Sequence, residues 1–213
     1  SYQRVWAEVD LDAIWENMVH MKENIAENTK ILAVIKTDGY GHGGVPIAKM
    51  LEQLDFMFGY AAATYEEAHV LREAGVKKPI LILGYTFPYC YEELIREEIR
   101  PAVYRRDTVE ELAAAAAKVG KKAKVHIKVD TGMGRIGITP DEEGLEFVRF
   151  LIEHPELEVE GIFTHFAKAD ETDKAYTDVQ IGKYNYMRDE LKKRGVSFPI
   201  YHCSNSAGII DIK

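Results

Sequence analysis

The chain has 213 residues, 46% of them hydrophobic and 29% charged, and its 27 basic and 35 acidic side chains give a formal net charge of −8. This composition is typical of a globular domain and excludes a membrane-spanning helix, since no apolar run approaches the roughly 20 residues that a bilayer requires. The acidic balance argues against a nucleic-acid partner, and two cysteines are too few for a disulfide scaffold or a cysteine-based zinc site.

The first predicted element is an amphipathic helix that opens at Asp10. Its apolar residues recur at helical spacing from Ile14 to Ile25. A strand-like run at residues 5–9 precedes this helix and has no helix partner of its own. From residue 30 onward, short apolar runs alternate with longer segments of helical period, which is the pattern of repeated βα units and a parallel sheet.

Seven such units follow one another along the chain. Most of their strands are continuous apolar runs, as expected of strands buried on both faces. Three intervening helices have clear boundaries: one between Thr64 and Gly75, one between Asp107 and Gly120, and a long one at residues 173–194. The predicted strands are residues 31–36, 57–62, 80–84, 101–104, 124–130, 160–165 and 200–203.

The units predict one α/β domain over residues 1–213, a (β/α)₈ barrel of the TIM type with seven βα units present and the eighth strand missing. An open doubly wound sheet also uses parallel units, but residues 36–44 do not follow the G-x-G-x-x-G spacing of its dinucleotide site. In a barrel, functional side chains are expected where the strands end.

Lys36 ends the first predicted strand. Its amine emerges beside a hydrophobic wall, where a partly desolvated lysine can condense with an aldehyde. A lysine whose amine simply reaches solvent is the alternative interpretation. Glycines at four of the residues 39–44 allow the backbone to approach a ligand closely, and Tyr40 and His42 add polar groups among them.

A second cluster lies at the end of the fifth strand. His126, Lys128 and Asp130 alternate on one face, where interior side chains of a barrel are normally apolar. A lysine that faces inward requires a partner or a modification. The Gly-Met-Gly turn that follows presents Arg135, which suits an oxyanion or a phenolate unless it is an ordinary surface arginine.

Two further groups follow the sixth and seventh strands. His165 is predicted to contact a ligand or to be a satisfied core histidine. Asn205 and Ser206 stand where a helix should begin, which indicates either capping or a phosphate site. One end of the barrel thus combines an amine, an arginine, a histidine and a helix N-terminus that can bind phosphate. Together these groups indicate a phosphorylated aldehyde bound as a Schiff base, as in pyridoxal phosphate chemistry.

Residues 33–43, Ala-Val-Ile-Lys-Thr-Asp-Gly-Tyr-Gly-His-Gly, resemble the cofactor-lysine motif of bacterial alanine racemases. Residues 6–13, 79–84, 128–137, 161–167 and 202–207 resemble further segments of that family in the same order. The resemblance implies a fold-type III pyridoxal 5'-phosphate enzyme that interconverts L- and D-alanine by a two-base mechanism. It further implies a homodimer whose D-alanine serves peptidoglycan synthesis.

The resemblance also implies roles for individual residues. Lys36 matches the lysine that forms the Schiff base and acts as one of the two bases. Tyr40 and Ser206 match phosphate contacts, Arg135 matches a donor to the cofactor's phenolic oxygen, and Lys128 matches a lysine that is carbamylated in some members. The remaining implied cofactor contacts are Leu83, His165 and Asn205.

Two departures from the family are visible. Residues 37–39 are Thr-Asp-Gly where the commonest form is Ala-Asn-Ala. The chain also stops before the eighth strand, whose arginine faces the pyridine nitrogen in the family, and before the C-terminal β-domain that supplies the second base from the partner subunit. We therefore expect residues 1–213 to be an incomplete barrel domain that is inactive alone.

Two alternative functions stay open at this point. One is a non-catalytic barrel protein that binds or carries pyridoxal phosphate, and the other is a racemase for serine or for several amino acids. In each case the expected partner is a small amino acid or the cofactor, with no nucleic acid, membrane or metal. A polar N-terminus without signal-peptide character and the low cysteine count predict a cytoplasmic protein.

Overall fold

The computed structural model describes residues 4–212 and shows one sheet of seven strands that curls into an open barrel. The strands lie side by side in the order of the sequence, and every neighbouring pair is parallel. The seven predicted strands of an incomplete TIM-type barrel are therefore confirmed. The strands are β1 (Ile31–Val34), β2 (Met57–Ala62), β3 (Ile80–Ile82), β4 (Ile99–Val103), β5 (Ala123–Lys128), β6 (Leu157–Phe163) and β7 (Ile200–His202).

Helices connect the strands, and several of them pack against the sheet on its outer side. Their ends follow ordinary capping chemistry: Thr64 accepts a hydrogen bond from the Glu67 amide, and Gly120 ends its helix in the left-handed conformation. No helix within residues 4–212 is long and apolar enough to cross a membrane. The helices are α1 (Leu11–Glu23), α2 (Lys36–Tyr40), α3 (Gly44–Leu51), α4 (Tyr65–Glu73), α5 (Tyr91–Arg96), α6 (Arg106–Val119), α7 (Glu142–Ile152), α8 (Ala175–Lys193) and α9 (Ser206–Asp211).

The apolar core is divided between two layers. The larger layer lies between the sheet and the helices and includes Leu51, Leu94 and Leu112, which are fully buried. A much smaller cluster of Leu81, Ala102 and Phe163 forms the second layer. The polar side chains of His126 and Lys128 are also buried and lie near the Phe163 ring of this small cluster.

Several predicted boundaries are wrong. Strand β1 ends at Val34 rather than at residue 36, because the chain turns sharply after Ile35. Residues 5–9 form no strand; Trp6 is 71% exposed, and no neighbouring strand within the described residues offers this segment a partner. The long helix begins at Ala175 rather than at residue 173, since Asp173 accepts a hydrogen bond from the Ala175 amide.

Strands β1 and β7 form the two edges of the described sheet. Each edge presents backbone N–H and C=O groups that can pair with another chain. We expect the isolated 213-residue chain to associate, with a mass in light scattering that rises with concentration above the 24.2 kDa of one copy. A single species of monomer mass at all concentrations would contradict this expectation.

Candidate functional site

The C-terminal ends of the strands, here called the mouth of the barrel, carry an unusual turn directly after Lys36. Five consecutive residues are left-handed, with φ of +54° at Thr37, +52° at Asp38, +62° at Gly39, +56° at Tyr40 and +83° at Gly41. A left-handed conformation costs a non-glycine residue about 1–2 kcal/mol. The three non-glycine residues of this turn, Thr37, Asp38 and Tyr40, therefore require support from the surrounding structure.

Part of this support comes from the residues that follow the turn. The Gly44 amide donates to the Asp38 carboxylate at 2.7 Å, which ties the turn to the start of α3. Gly39 is buried, and a Cβ there would lie 3.1 Å from Ile47 Cδ1, so the close packing leaves little room for a side chain. The Nζ of Lys36 lies 5.9 Å from the centre of the Tyr40 ring, so the turn brings the predicted amine and phenol together.

The second predicted cluster is confirmed in two of its three members. His126 and Lys128 lie on β5 and are only 1% and 3% exposed, although both are polar. Asp130 lies two residues beyond the end of the strand and is only partly buried. Its carboxylate instead accepts hydrogen bonds from the Gly132 and Gly134 amides, at 3.0 Å each, and so shapes the loop that carries Arg135.

Inside the barrel, His126 belongs to a hydrogen-bonded network that sequence analysis did not find. Its Nε2 donates to the Glu160 carboxylate at 3.1 Å, and its Nδ1 lies 3.0 Å from His202 Nε2. Arg100 donates to the same carboxylate through Nε at 3.0 Å and through a terminal nitrogen at 3.2 Å. The network therefore joins β4, β5, β6 and β7 across the interior.

The charge state of this network follows from its burial. Burial alone would raise the pKa of Glu160, but hydrogen bonds from His126 and Arg100 outweigh it and lower the pKa to about 2. Burial lowers the pKa of His202 to about 3, and nearby positive charge acts in the same direction. His202 is consequently neutral at physiological pH, and it stacks on Phe163 with ring centres 4.7 Å apart.

Lys128 lies in the interior without a carboxylate partner among the described residues. Burial lowers its pKa from 10.5 to about 8; the charge of Asp130 opposes this shift and that of Arg135 adds to it. Its Nζ donates to the Val129 carbonyl at 2.9 Å and lies 5.5 Å from the centre of the Phe163 ring. An amine in such surroundings is more often neutral than an ordinary lysine.

His165 is affected by the positive charges at the mouth of the barrel. Burial lowers its pKa most, and the positive charges of Arg135, Lys128 and Lys36 lower it further. Within residues 4–212, no carboxylate pairs with Lys36 or Arg135. The mouth thus presents cations that suit an anionic ligand, beside a cavity of about 520 Å³ lined by Tyr85, Tyr104, Arg105, Arg135, Ile136 and Gly137.

The other predicted contacts lie at the ends of β3 and β7. Leu83 follows β3 and packs against the interior apolar cluster, where it can form part of a wall. Asn205 accepts a hydrogen bond from the Gly208 amide at 2.9 Å, which confirms the predicted helix start. Ser206 is the exposed first residue of α9. Their contacts with a cofactor stay predictions.

Gln180 connects two loops of the site and was not found from the sequence. It is fully buried on α8; its oxygen accepts from the Ala167 amide at 2.9 Å, and its nitrogen donates to the Thr131 hydroxyl and the His165 carbonyl, both at 3.1 Å. It therefore holds the loop after β5 against the loop after β6. Its position on the buried stripe of α8, with Tyr184, was the one available signal.

Replacement of Gln180 by Leu should destabilise the protein by about 2–3 kcal/mol, because it leaves buried hydrogen-bonding groups without partners. The free energy of unfolding, measured in urea, checks this. Gln53→Leu is the matched control at an exposed position and should change stability by less than about 0.5 kcal/mol. Equal stability of the two variants would contradict the assigned role.

Residues 9–213 match the family described as alanine racemase, N-terminal domain. The alanine racemase of Desulforamulus reducens is 43% identical over 97% of this chain and 56% of that protein. The alanine racemase of Clostridium perfringens strain SM101 is 45% identical over 98% of this chain and 53% of that protein.

Solved structures of alanine racemases are also similar to this chain. An alanine racemase of Clostridium difficile 630 superposes with a TM-score of 0.95 and 41% identity, covering 99% of this chain and 56% of that one. The alanine racemase of Bacillus anthracis with bound L-Ala-P has a TM-score of 0.91 and 38% identity, covering 100% of this chain and 55% of that one. The chain thus spans about half the length of the relatives that it matches.

Proposed function

Since the chain belongs to the alanine racemase family, in which it corresponds to the N-terminal domain, we propose that residues 1–213 are the pyridoxal phosphate-binding barrel domain of an enzyme that interconverts L- and D-alanine. The observation that carries this proposal is the position of Lys36. Lys36 follows β1 at the mouth, at the start of a strained left-handed turn, and its charge acts on His165 together with those of Arg135 and Lys128. Strain of this kind is concentrated at functional sites.

The residues at the mouth fit the chemical groups of pyridoxal phosphate. An aldehyde requires an amine, which Lys36 supplies, and a phosphate and a phenolate require donors and positive charge. We assign the phosphate to Tyr40 and Ser206 with help from Asn205, and the phenolic oxygen to Arg135. Leu83 and His165 are proposed to line the ring, and the lowered pKa of His165 favours its uncharged form for that contact.

The proposed chemistry divides between the cofactor and the chain. When bound, pyridoxal phosphate withdraws electrons from the substrate α-carbon and so makes its hydrogen acidic. In one direction of the reaction Lys36 Nζ would take the α-proton from its face, and in the reverse direction it would deliver a proton to that face. Racemisation requires a second acceptor on the opposite face. We assign that role to a tyrosine of a C-terminal β-domain in the partner subunit of a homodimer.

Reduction with borohydride tests the role of Lys36. After incubation with pyridoxal phosphate, the reduced adduct should appear on the peptide that contains Lys36, as mapped by mass spectrometry. Lys36→Ala should abolish it, whereas Lys49→Ala, at an exposed position on the neighbouring α3, should leave it intact. Absence of an adduct on Lys36 in the wild-type protein would contradict the proposal.

Activity provides the complementary test, with the protein expressed from its complete gene. It should form D-alanine from L-alanine, and Lys36→Ala should lower kcat at least about 100-fold because one of two proton acceptors is lost. Residues 1–213 alone should show little or no turnover. Racemisation of serine in preference to alanine would overturn the proposed substrate, and cofactor binding without any turnover would favour a carrier.

We further propose that Lys128 is carbamylated. The neutral amine would attack CO₂, forming an N–C bond and releasing one proton, and the resulting anion would neutralise the charge of Arg135. The pKa of about 8 supports this, because more of the amine is then neutral near physiological pH than in an ordinary lysine. The modification also removes a buried cation that has no carboxylate partner among the described residues.

Native mass spectrometry at pH 8 with bicarbonate should detect a mass increase of one CO₂ that disappears in acid. Lys128→Met should remove this increase. Lys124→Met is the matched control on the same strand, where the lysine is more exposed and lies near Glu158 and Glu160. An increase that persists in Lys128→Met, or none in the wild type, would contradict carbamylation at this position.

A further inference from the structure

We propose that Glu67 is a positioning residue for Lys36. Its carboxylate joins the left-handed turn to the end of β2 and thereby sets the direction in which the Lys36 amine leaves the barrel wall. The inference rests on the proposed function, in which Lys36 binds the cofactor. It assigns a role to a residue that lies outside the cofactor-lysine motif, 31 positions along the chain.

The two hydrogen bonds that the Glu67 carboxylate accepts support this proposal. The Thr37 amide donates to Glu67 Oε1 at 2.8 Å, and the Ala63 amide donates to Oε2, also at 2.8 Å. Thr37 directly follows Lys36, whereas Ala63 directly follows the last residue of β2. One carboxylate therefore holds backbone groups of two different βα units, through hydrogen bonds that an ionised acceptor strengthens.

Capping of α4 does not account for this arrangement. Thr64 and Glu67 have the Thr-x-x-Glu spacing of a capping box, in which the glutamate normally accepts from the amide of the capping threonine. The threonine half of the box is present, since the Glu67 amide donates to Thr64 Oγ1 at 3.4 Å. The glutamate instead accepts from Ala63 and from the distant Thr37.

The turn needs such a support because its backbone is strained. Asp38 ties it to the start of α3, which immediately follows the turn in sequence. Glu67 ties it to α4 and β2, and hence to the rest of the barrel. Without the Glu67 carboxylate, the Thr37 amide loses its acceptor, and Lys36 would keep its position in the sequence but lose its fixed direction.

The test uses the protein expressed from its complete gene, with pyridoxal phosphate as the probe. Glu67→Gln keeps the size of the side chain but replaces one acceptor oxygen by an NH₂ group, which faces an amide donor. Glu66→Gln is the matched control, since it removes the same charge from the neighbouring residue, whose carboxylate contacts Tyr89 rather than the turn. Amide hydrogen exchange at Thr37 and Ala63 is measured together with the reducible adduct on Lys36 and its absorbance spectrum.

In Glu67→Gln we expect faster exchange at Thr37 or Ala63, an altered spectrum, and about ten-fold weaker formation of the Lys36 adduct, the size expected for loss of one hydrogen bond to a charged group. Glu66→Gln should resemble the wild type. If Glu67→Gln does not fold, Glu67→Asp takes its place, because its shorter side chain keeps the charge but reaches only one of the two amides.

The possible failures are distinguishable. Wild-type exchange at both amides would show that the bridge is not formed. Faster exchange with an unchanged adduct and spectrum would overturn the positioning role and leave the carboxylate as a structural support alone. A wild-type protein that forms no adduct on Lys36 would contradict the proposed function itself, and the positioning role with it.

Discussion

The hydrogen-bonded ion pair between Arg100 and Glu160 is the interaction on which the interior of the barrel depends. Both side chains are largely removed from water, and an ionised carboxylate there is stable only while its partners stay in place. Those partners come from neighbouring strands, with His126 next to Glu160 and His202 next to His126. Loss of one partner would leave a buried charge, so the network favours a single register of β4 to β7.

At the mouth of the barrel, by contrast, positively charged groups lie without opposite charges beside them among the described residues. Lys36 and Arg135 have no carboxylate partner among the described residues, and Lys128 is buried with a single carbonyl as its hydrogen-bond acceptor. Like charges held together destabilise the unliganded domain, just as the left-handed turn does. The positive charges and the strained turn both suit the binding of an anionic ligand that carries an aldehyde. The stable interior and the strained mouth thus serve different purposes in one barrel.

Much of the fold was predictable because βα units repeat a local pattern. The bounds of β2 were predicted correctly, and the other strands were located to within a few residues. The errors have specific causes: β1 ends early because the chain enters a left-handed turn, and residues 5–9 have strand-like composition but no strand beside them within residues 4–212. The candidate site residues were selected by motif, whereas Glu67 and Gln180 were missed because their hydrogen-bond partners lie in other βα units.

The sequence by itself determined the fold class, the order of the strands and the chemical groups that follow them, because hydrophobic periodicity and short motifs are local properties. Only the tertiary structure decided which of these groups meet. The pairing of Glu160 with Arg100 spans 60 positions, and the bridge from Glu67 to Thr37 spans 30. Such contacts depend on how the sheet curls, since the curl brings distant backbone and side-chain groups within hydrogen-bonding distance. A local sequence pattern does not predict which of these groups meet.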